Sequence, residues 1–148
     1  MIALIQRVSS ASVDVAGERI AGIGQGLLVL AGVEQGDSET QADRLAERIL
    51  NYRVFADNDN KMNLSVTDIA GEILLVPQFT LAADTRSGNR PGFSTAAPPE
   101  TGAALFESLV LAMQQRGQSP QTGRFGADMQ VNLCNEGPVT FNLRVPPG

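Results

Sequence analysis

Residues 2–33 read IALIQRVSSASVDVAGERIAGIGQGLLVLAGV, and every segment of that stretch carries a strand signal. Residues 2–8 are mostly apolar and short, as in a half-buried strand. Residues 12–15 continue in the same style, then Ala16-Gly17-Glu18 interrupts, and residues 19–23 resume. This is a hairpin pattern, with Gly17 supplying the turn. Gly26 then opens an unbroken apolar run to Val33, the mark of a strand buried on both faces.

Helical spacing begins only after this run. Ser38 followed by Gln41 predicts a capping box. Ala42, Leu45, Ala46, Ile49 and Leu50 then recur at the period of one helix face. Residues 57–60, Asp-Asn-Asp-Asn, predict a turn, and residues 64–66 and 73–76 predict short strands. Residues 84–92 are polar and rich in glycine, hence a loop. Pro98-Pro99 opens a second helix, whose apolar face is Leu105, Phe106, Leu109, Val110 and Met113, with Gly117 as its terminator. Residues 129–134 and 139–145 predict two final strands. Hairpins and long connections outnumber any strand–helix–strand alternation. The fold class is therefore α+β, a single domain over residues 1–148 that is β-rich, barrel-like and mostly antiparallel, with two amphipathic helices.

Composition narrows the chemistry. The 148 residues are 43% hydrophobic and 18% charged, in the ordinary globular range. The longest apolar run is too short to span a bilayer, the N-terminus lacks a basic leader, and Cys134 is the single cysteine. These features point to the cytoplasm, with no membrane partner. The chain has no histidine, so a Ser-His-Asp or Cys-His device and a His-ligated zinc site are excluded. Without tryptophan and with one tyrosine, an aromatic platform for single strands is not expected. A net charge of −5 argues against general nucleic-acid binding, DNA included; any polyanion must meet a local basic patch.

Five segments invite a chemical reading. Gly22-Ile-Gly24-Gln-Gly26 has the glycine content of a phosphate loop but feeds a strand instead of a helix, so it reads as a hairpin end. Asp57-Asn-Asp-Asn-Lys-Met62 starts like a calcium loop, but Lys61 and Met62 occupy positions that need a ligand and a glycine. Arg86 and Arg90 share the 84–92 loop, either as solvated residues or as a clamp on a phosphate. Pro77-Gln-Phe-Thr80 follows a strand, and Gly137-Pro138 reads as a turn between two strands. On the residues alone these last two remain unassigned.

Taken together, Pro77-Gln-Phe-Thr-Leu81 and Asn135-Glu-Gly-Pro-Val-Thr140 resemble the D-aminoacyl-tRNA deacylase family, also called D-tyrosyl-tRNA deacylases. Ile5-Gln-Arg-Val8, Gly26-Leu-Leu-Val29, Lys61-Met-Asn-Leu-Ser65, Ala83-Asp-Thr-Arg86, Asn89-Arg-Pro91 and Gly123-Arg-Phe-Gly-Ala-Asp-Met129 extend the resemblance along the whole chain. It implies a homodimeric hydrolase, without metal or cofactor, that cleaves the ester of D-aminoacyl-tRNA at the CCA end and also acts on glycyl-tRNA mischarged on tRNA-Ala. It implies a cis Gly137-Pro138 bond on a loop that enters the partner's site and excludes L side chains, with Arg7 holding the loop. It gives Gln78, Phe79 and Thr80 the reaction centre, with backbone N–H groups for the oxyanion and the terminal 2′-hydroxyl assisting water. Phe125, Ala127 and Met129 would take the adenosine. Arg86, Arg90 and Arg124 are the candidates for tRNA phosphates. Pro77 departs from the family's usual serine and is shared with a related branch of relaxed chirality. Two other readings stay open: hydrolysis of a different small activated ester on the same scaffold, and a non-catalytic binding module.

Overall fold

A computed structural model describes residues 1–148. Strand β1 (Ile2–Val15) runs through the first two predicted segments as one. Strands β2 (Glu18–Ile23) and β3 (Gly26–Gly32) follow, then helix α1 (Glu39–Asn51). Short β4 (Phe55–Ala56) and β5 (Met62–Leu64) pair with each other. Strand β6 (Glu72–Pro77) leads into a one-turn 3₁₀ helix (Phe79–Ala82). Helix α2 (Pro99–Gln115), β7 (Gln121–Thr122) and β8 (Met129–Arg144) complete the chain. The main sheet runs β2-β1-β3-β6-β7, with β8 on the other side of β1. Pairings of β1 with β2, β3 and β8 are antiparallel, while β3–β6 and β6–β7 are parallel. The sheet curls so that β2 returns against β6 and β7, giving the barrel-like α+β form. No helix is long and apolar enough to cross a membrane.

Side-chain alternation builds two cores. Leu27 and Val29 of β3, with Ile73 and Leu75 of β6, face the helices and pack against Leu45, Ile49, Leu109 and Met113. Leu28, Leu74 and Val76 face the other way, inside the curl, with Val8, Val13 and Ile23. Burying one such Leu or Ile contributes about 1.5–3 kcal/mol. Both helices form as their signals predict. The Ser38–Gln41 capping box is present, and the predicted apolar faces of both helices are buried. Gly117 follows the α2 C-cap at φ +86°.

Two sequence boundaries are corrected. Ser9-Ser10 does not break β1, because Ser10 pairs across to Cys134 while the register shifts on either side of Val8. Gly137-Pro138 is likewise no turn between two strands. It is a bulge inside the single strand β8, braced by Asn135, whose Oδ1 accepts from Val139 N at 3.0 Å and whose Nδ2 donates to Thr140 Oγ1 at 2.8 Å. A polar or prolyl interruption in one strand is tolerated where the neighbouring strand keeps the ladder going.

The glycine-rich segment ends the β1–β2 hairpin and feeds strand β3, as expected. Gly26 is required by close approach: a Cβ there would lie 1.8 Å from the Glu72 carbonyl oxygen of paired β6. Gly26→Ala must push β3 from β6, and backbone cannot yield as a side-chain tip does. We expect a loss of about 1–3 kcal/mol or more in urea unfolding. A midpoint unchanged from the parent would show that this strand pair yields more easily than so close a contact implies.

Candidate active site

Strand β6 ends at Pro77, and the residues after it are fixed to its neighbour. The Gln78 N–H donates to Ala31 O of β3 at 2.8 Å. The chain then tightens into the 3₁₀ turn, whose bond from Leu81 N closes on Gln78 O at 3.2 Å. Phe79 and Thr80 are the first two residues of that turn, so their N–H groups precede its first internal bond. The Gln78 side-chain amide donates to the Thr80 hydroxyl. Phe79 leaves 58% of its surface exposed.

Beside this turn is an apolar cavity of about 230 Å³, lined by Ala31, Pro77, Phe79, Gly102, Phe106 and Phe125, among others. Of the three residues expected around an adenosine, Phe125 alone lines it. Met129 lies beside Gly123 and Pro77, its sulfur accepting from Arg124 N at 3.4 Å, and Ala127 N closes a turn on Arg124 O.

The loop of residues 84–92 is pinched shut by two backbone bonds between Asp84 and Gly92, at 2.7 and 2.9 Å. Arg86 folds back on Asp84, Nε to Oδ1 at 2.9 Å and Nη2 to Oδ2 at 2.8 Å. That hydrogen-bonded guanidinium holds the Asp84 carboxyl down at about 2, so the pair stays ionised throughout the neutral range. Arg86 thus arrives at any phosphate partly compensated, whereas Arg90 and Arg124 are exposed and enter no ion pair. The Asp57 turn is likewise self-satisfied: the carboxylate accepts from the N–H groups of Asp59 and Lys61 and from the Asn63 amide.

The Gly137–Pro138 peptide bond is cis, and Gly137 has φ +132°. Arg7 braces the bulge, with Nε donating to Glu136 O at 3.0 Å and Nη1 to Val54 O at 2.8 Å. These residues border a second, open cavity of about 480 Å³, which shares no lining residue with the one beside Phe79. Within one subunit the bulge is three strands away from the Gln78 turn, across β8, β1, β3 and β6. At the usual strand spacing that is roughly 14 Å across the sheet alone.

Sequence reasoning missed Asn135 as the brace of the bulge and Phe93 as a partner of Phe79. The two rings lie 5.3 Å apart, inclined by 42°. An Asn two residues before Gly-Pro is a usable signal for a side-chain bracket; nothing local marks Phe93.

The sequence matches the D-Tyr-tRNA(Tyr) deacylase family over residues 4–144. It is 59% identical over 147 residues to a D-aminoacyl-tRNA deacylase of Methylococcus capsulatus, spanning 99% of this chain and 96% of that one. A D-aminoacyl-tRNA deacylase of Pseudomonas fluorescens is 60% identical over 144 residues, 97% of this chain and 99% of its own. A solved structure named c-Myc DNA Unwinding Element Binding Protein superposes with a TM-score of 0.93 at 41% identity, covering 99% of both chains. A probable eukaryotic D-amino acid tRNA deacylase superposes at 0.78 with 16% identity, covering 96% of this chain and 98% of its own, a likeness of fold alone. The matched span takes in the Gln78 turn, the Phe125 wall and the braced Gly137 bulge, and the chain belongs to the D-Tyr-tRNA(Tyr) deacylase family.

Proposed function

We propose that the chain hydrolyses the ester of D-aminoacyl-tRNA in the cytoplasm, and of glycyl-tRNA mischarged on tRNA-Ala, as a homodimer without metal or cofactor. The observation that carries this is the separation of two halves of a site on one chain. The Gln78 turn sits at one cavity and the Gly137 bulge at another. A second copy supplies the bulge that the first copy's reaction centre lacks. Strand β8 supports this pairing: it has β1 as its one partner in the sheet, and Leu133 and Phe141 are exposed along it. A long uncovered edge is normally covered by something.

In the assembled site the terminal adenosine enters the apolar cavity against Phe125, with Ala127 and Met129 behind that wall. The ester carbonyl meets the N–H groups of Phe79 and Thr80. Preorganised donors at a developing oxyanion contribute about 10²–10³ in rate. The partner's Gly137 and Pro138 carbonyls hold the amino group, and their backbone fills the space an L side chain would need. Glycine, lacking a side chain, passes. Arg90 and Arg124, with Arg86 in a lesser part, meet phosphates of the CCA end. Binding is then weak, salt-sensitive and indifferent to tRNA identity. A net charge of −5 works against the DNA-binding reading that one relative's name invites.

The test is parallel incubation with D-tyrosyl-tRNA and L-tyrosyl-tRNA, following loss of the ester. The D ester is expected to disappear while the L ester survives. Loss of both would keep the hydrolase and remove the chiral filter; loss of neither would remove the activity. Sedimentation should give twice the 15.6 kDa of one chain.

A further inference from the structure

The three phenylalanines Phe79, Phe93 and Phe125 come from separate segments and gather at one place on the surface. Phe79 and Phe125 line the apolar cavity. Phe93 does not; it packs on Phe79, ring centroids 5.3 Å apart, while 44% of its own surface stays exposed. Composition gave no expectation of an aromatic platform, because a count of residue types is blind to clustering.

Phe93 is held in place with unusual thoroughness for an exposed side chain. On one side Gly92 exchanges two backbone bonds with Asp84. On the other, the Thr95 hydroxyl donates to Ala82 O at 2.6 Å, and Ala96 N donates to the carbonyl of Phe93 itself at 3.1 Å. The ring therefore stands on a fixed backbone, against another exposed ring, at the mouth of the cavity. A phenylalanine that only filled the core would be buried, and one that gripped the terminal base would line the cavity.

Resting on the proposed function, we infer that Phe93, seated on Phe79, is a stacking platform for the penultimate nucleobase of the tRNA 3′ end. If the terminal adenosine fills the cavity, the preceding nucleotide must leave across its rim. Every base has a π-face, and single strands are held by stacking on rigid aromatic rings. Arg90 and Arg86 stand on the same pinched loop, three and seven positions before Phe93, where the phosphate between the two nucleotides passes.

The experiment compares D-tyrosyl-tRNA with the D-tyrosyl ester of adenosine alone, which is too short to reach Phe93. The readout is the ratio of KM for the tRNA ester to KM for the adenosine ester. Phe93→Ala is expected to raise that ratio about 5- to 150-fold, the worth of one base–aromatic stack, and Phe93→Tyr to restore it. Phe93→Leu keeps apolar bulk without a ring and gives the same reading if the alanine variant fails to fold. An unchanged ratio overturns the platform, whether both substrates suffer equally because Phe93 merely props Phe79 or neither suffers. A rise in the ratio traced to dissociation of the dimer in sedimentation overturns it as well, because Phe93 would then serve the subunit contact. If the unaltered enzyme cleaves neither ester, the deacylase reading falls and takes the platform with it. That result is distinct from the platform failing alone, where the unaltered enzyme stays active.

Discussion

An otherwise normal D-aminoacyl-tRNA whose terminal adenosine lacks the 2′-hydroxyl is expected to be hydrolysed about 10²–10⁴-fold more slowly, the usual worth of a positioned proton-transfer group. The expectation follows from what the site contains. The sequence has no histidine. Thr80 is the hydroxyl nearest the proposed oxyanion donors, yet its side-chain partner is the Gln78 amide, which donates a hydrogen bond to it and is no base. An activated nucleophile needs the opposite, a base that withdraws its proton. The group best placed to orient or activate water is then on the substrate, adjacent to the ester. Thr80→Ala should accordingly lose about tenfold at most, one ordinary hydrogen bond's worth of orientation. Single-turnover rates on the two esters, with both enzymes, separate the schemes. Full speed on the 2′-deoxy ester, combined with an inactive Thr80→Ala, would establish a threonyl intermediate in place of substrate assistance.

How far the sequence reveals these features depends on the range of the interaction that creates each one. The helices are legible because their causes are local: Ser38 and Gln41 cap one, Pro99 starts the other, and the buried faces repeat within a turn. Strand β3 is legible because its unbroken apolar run is opened by a glycine and is too short for an ordinary buried helix, which leaves a strand buried on both faces. The continuity of β1 and β8 is not, because it depends on pairings such as Ser10 with Cys134 between distant parts of the chain. Locally, Ser9-Ser10 and Gly137-Pro138 look like breaks. The parallel pairing of β6 with both β3 and β7 hides for the same reason. At the site, Gln78, Phe79, Thr80 and Gly137 are visible through resemblance alone. The chemistry proposed for them lies in backbone groups, which carry no residue-type signature. Charge is misleading in the other direction: Arg86 reads as a free cation until Asp84, two residues before it, is seen to engage two of its three guanidinium nitrogens.

Arg7→Ala should lower the ratio of D to L hydrolysis, in kcat/KM, by about 10- to 150-fold. The arginine reaches the bulge from the neighbouring strand β1. It donates from Nε to Glu136 O and from Nη1 to Val54 O, which ties β8 to the segment after α1. Its Nη2 lies so near Gly137 that a Cβ there would come within 3.0 Å of it. The guanidinium thus fixes both the carbonyl before Gly137 and the space beside its α-carbon. A hydrogen bond from a charged donor is worth about 1.5–3 kcal/mol, which converts to that range if the loss falls on the filter. Arg7→Lys should fail to rescue it. An ammonium is a compact point charge and cannot reach two carbonyls along the fixed directions of a guanidinium fork. Some stability will also be lost, so unfolding is measured alongside. A general structural defect lowers activity on both esters together and leaves their ratio intact. A filter that has lost its brace loses the ratio first. If Arg7→Ala folds, dimerises and still rejects the L ester as the parent does, then Asn135 and the backbone of β8 hold Gly137 and Pro138 without it. Chirality would then be set by the bulge's own conformation.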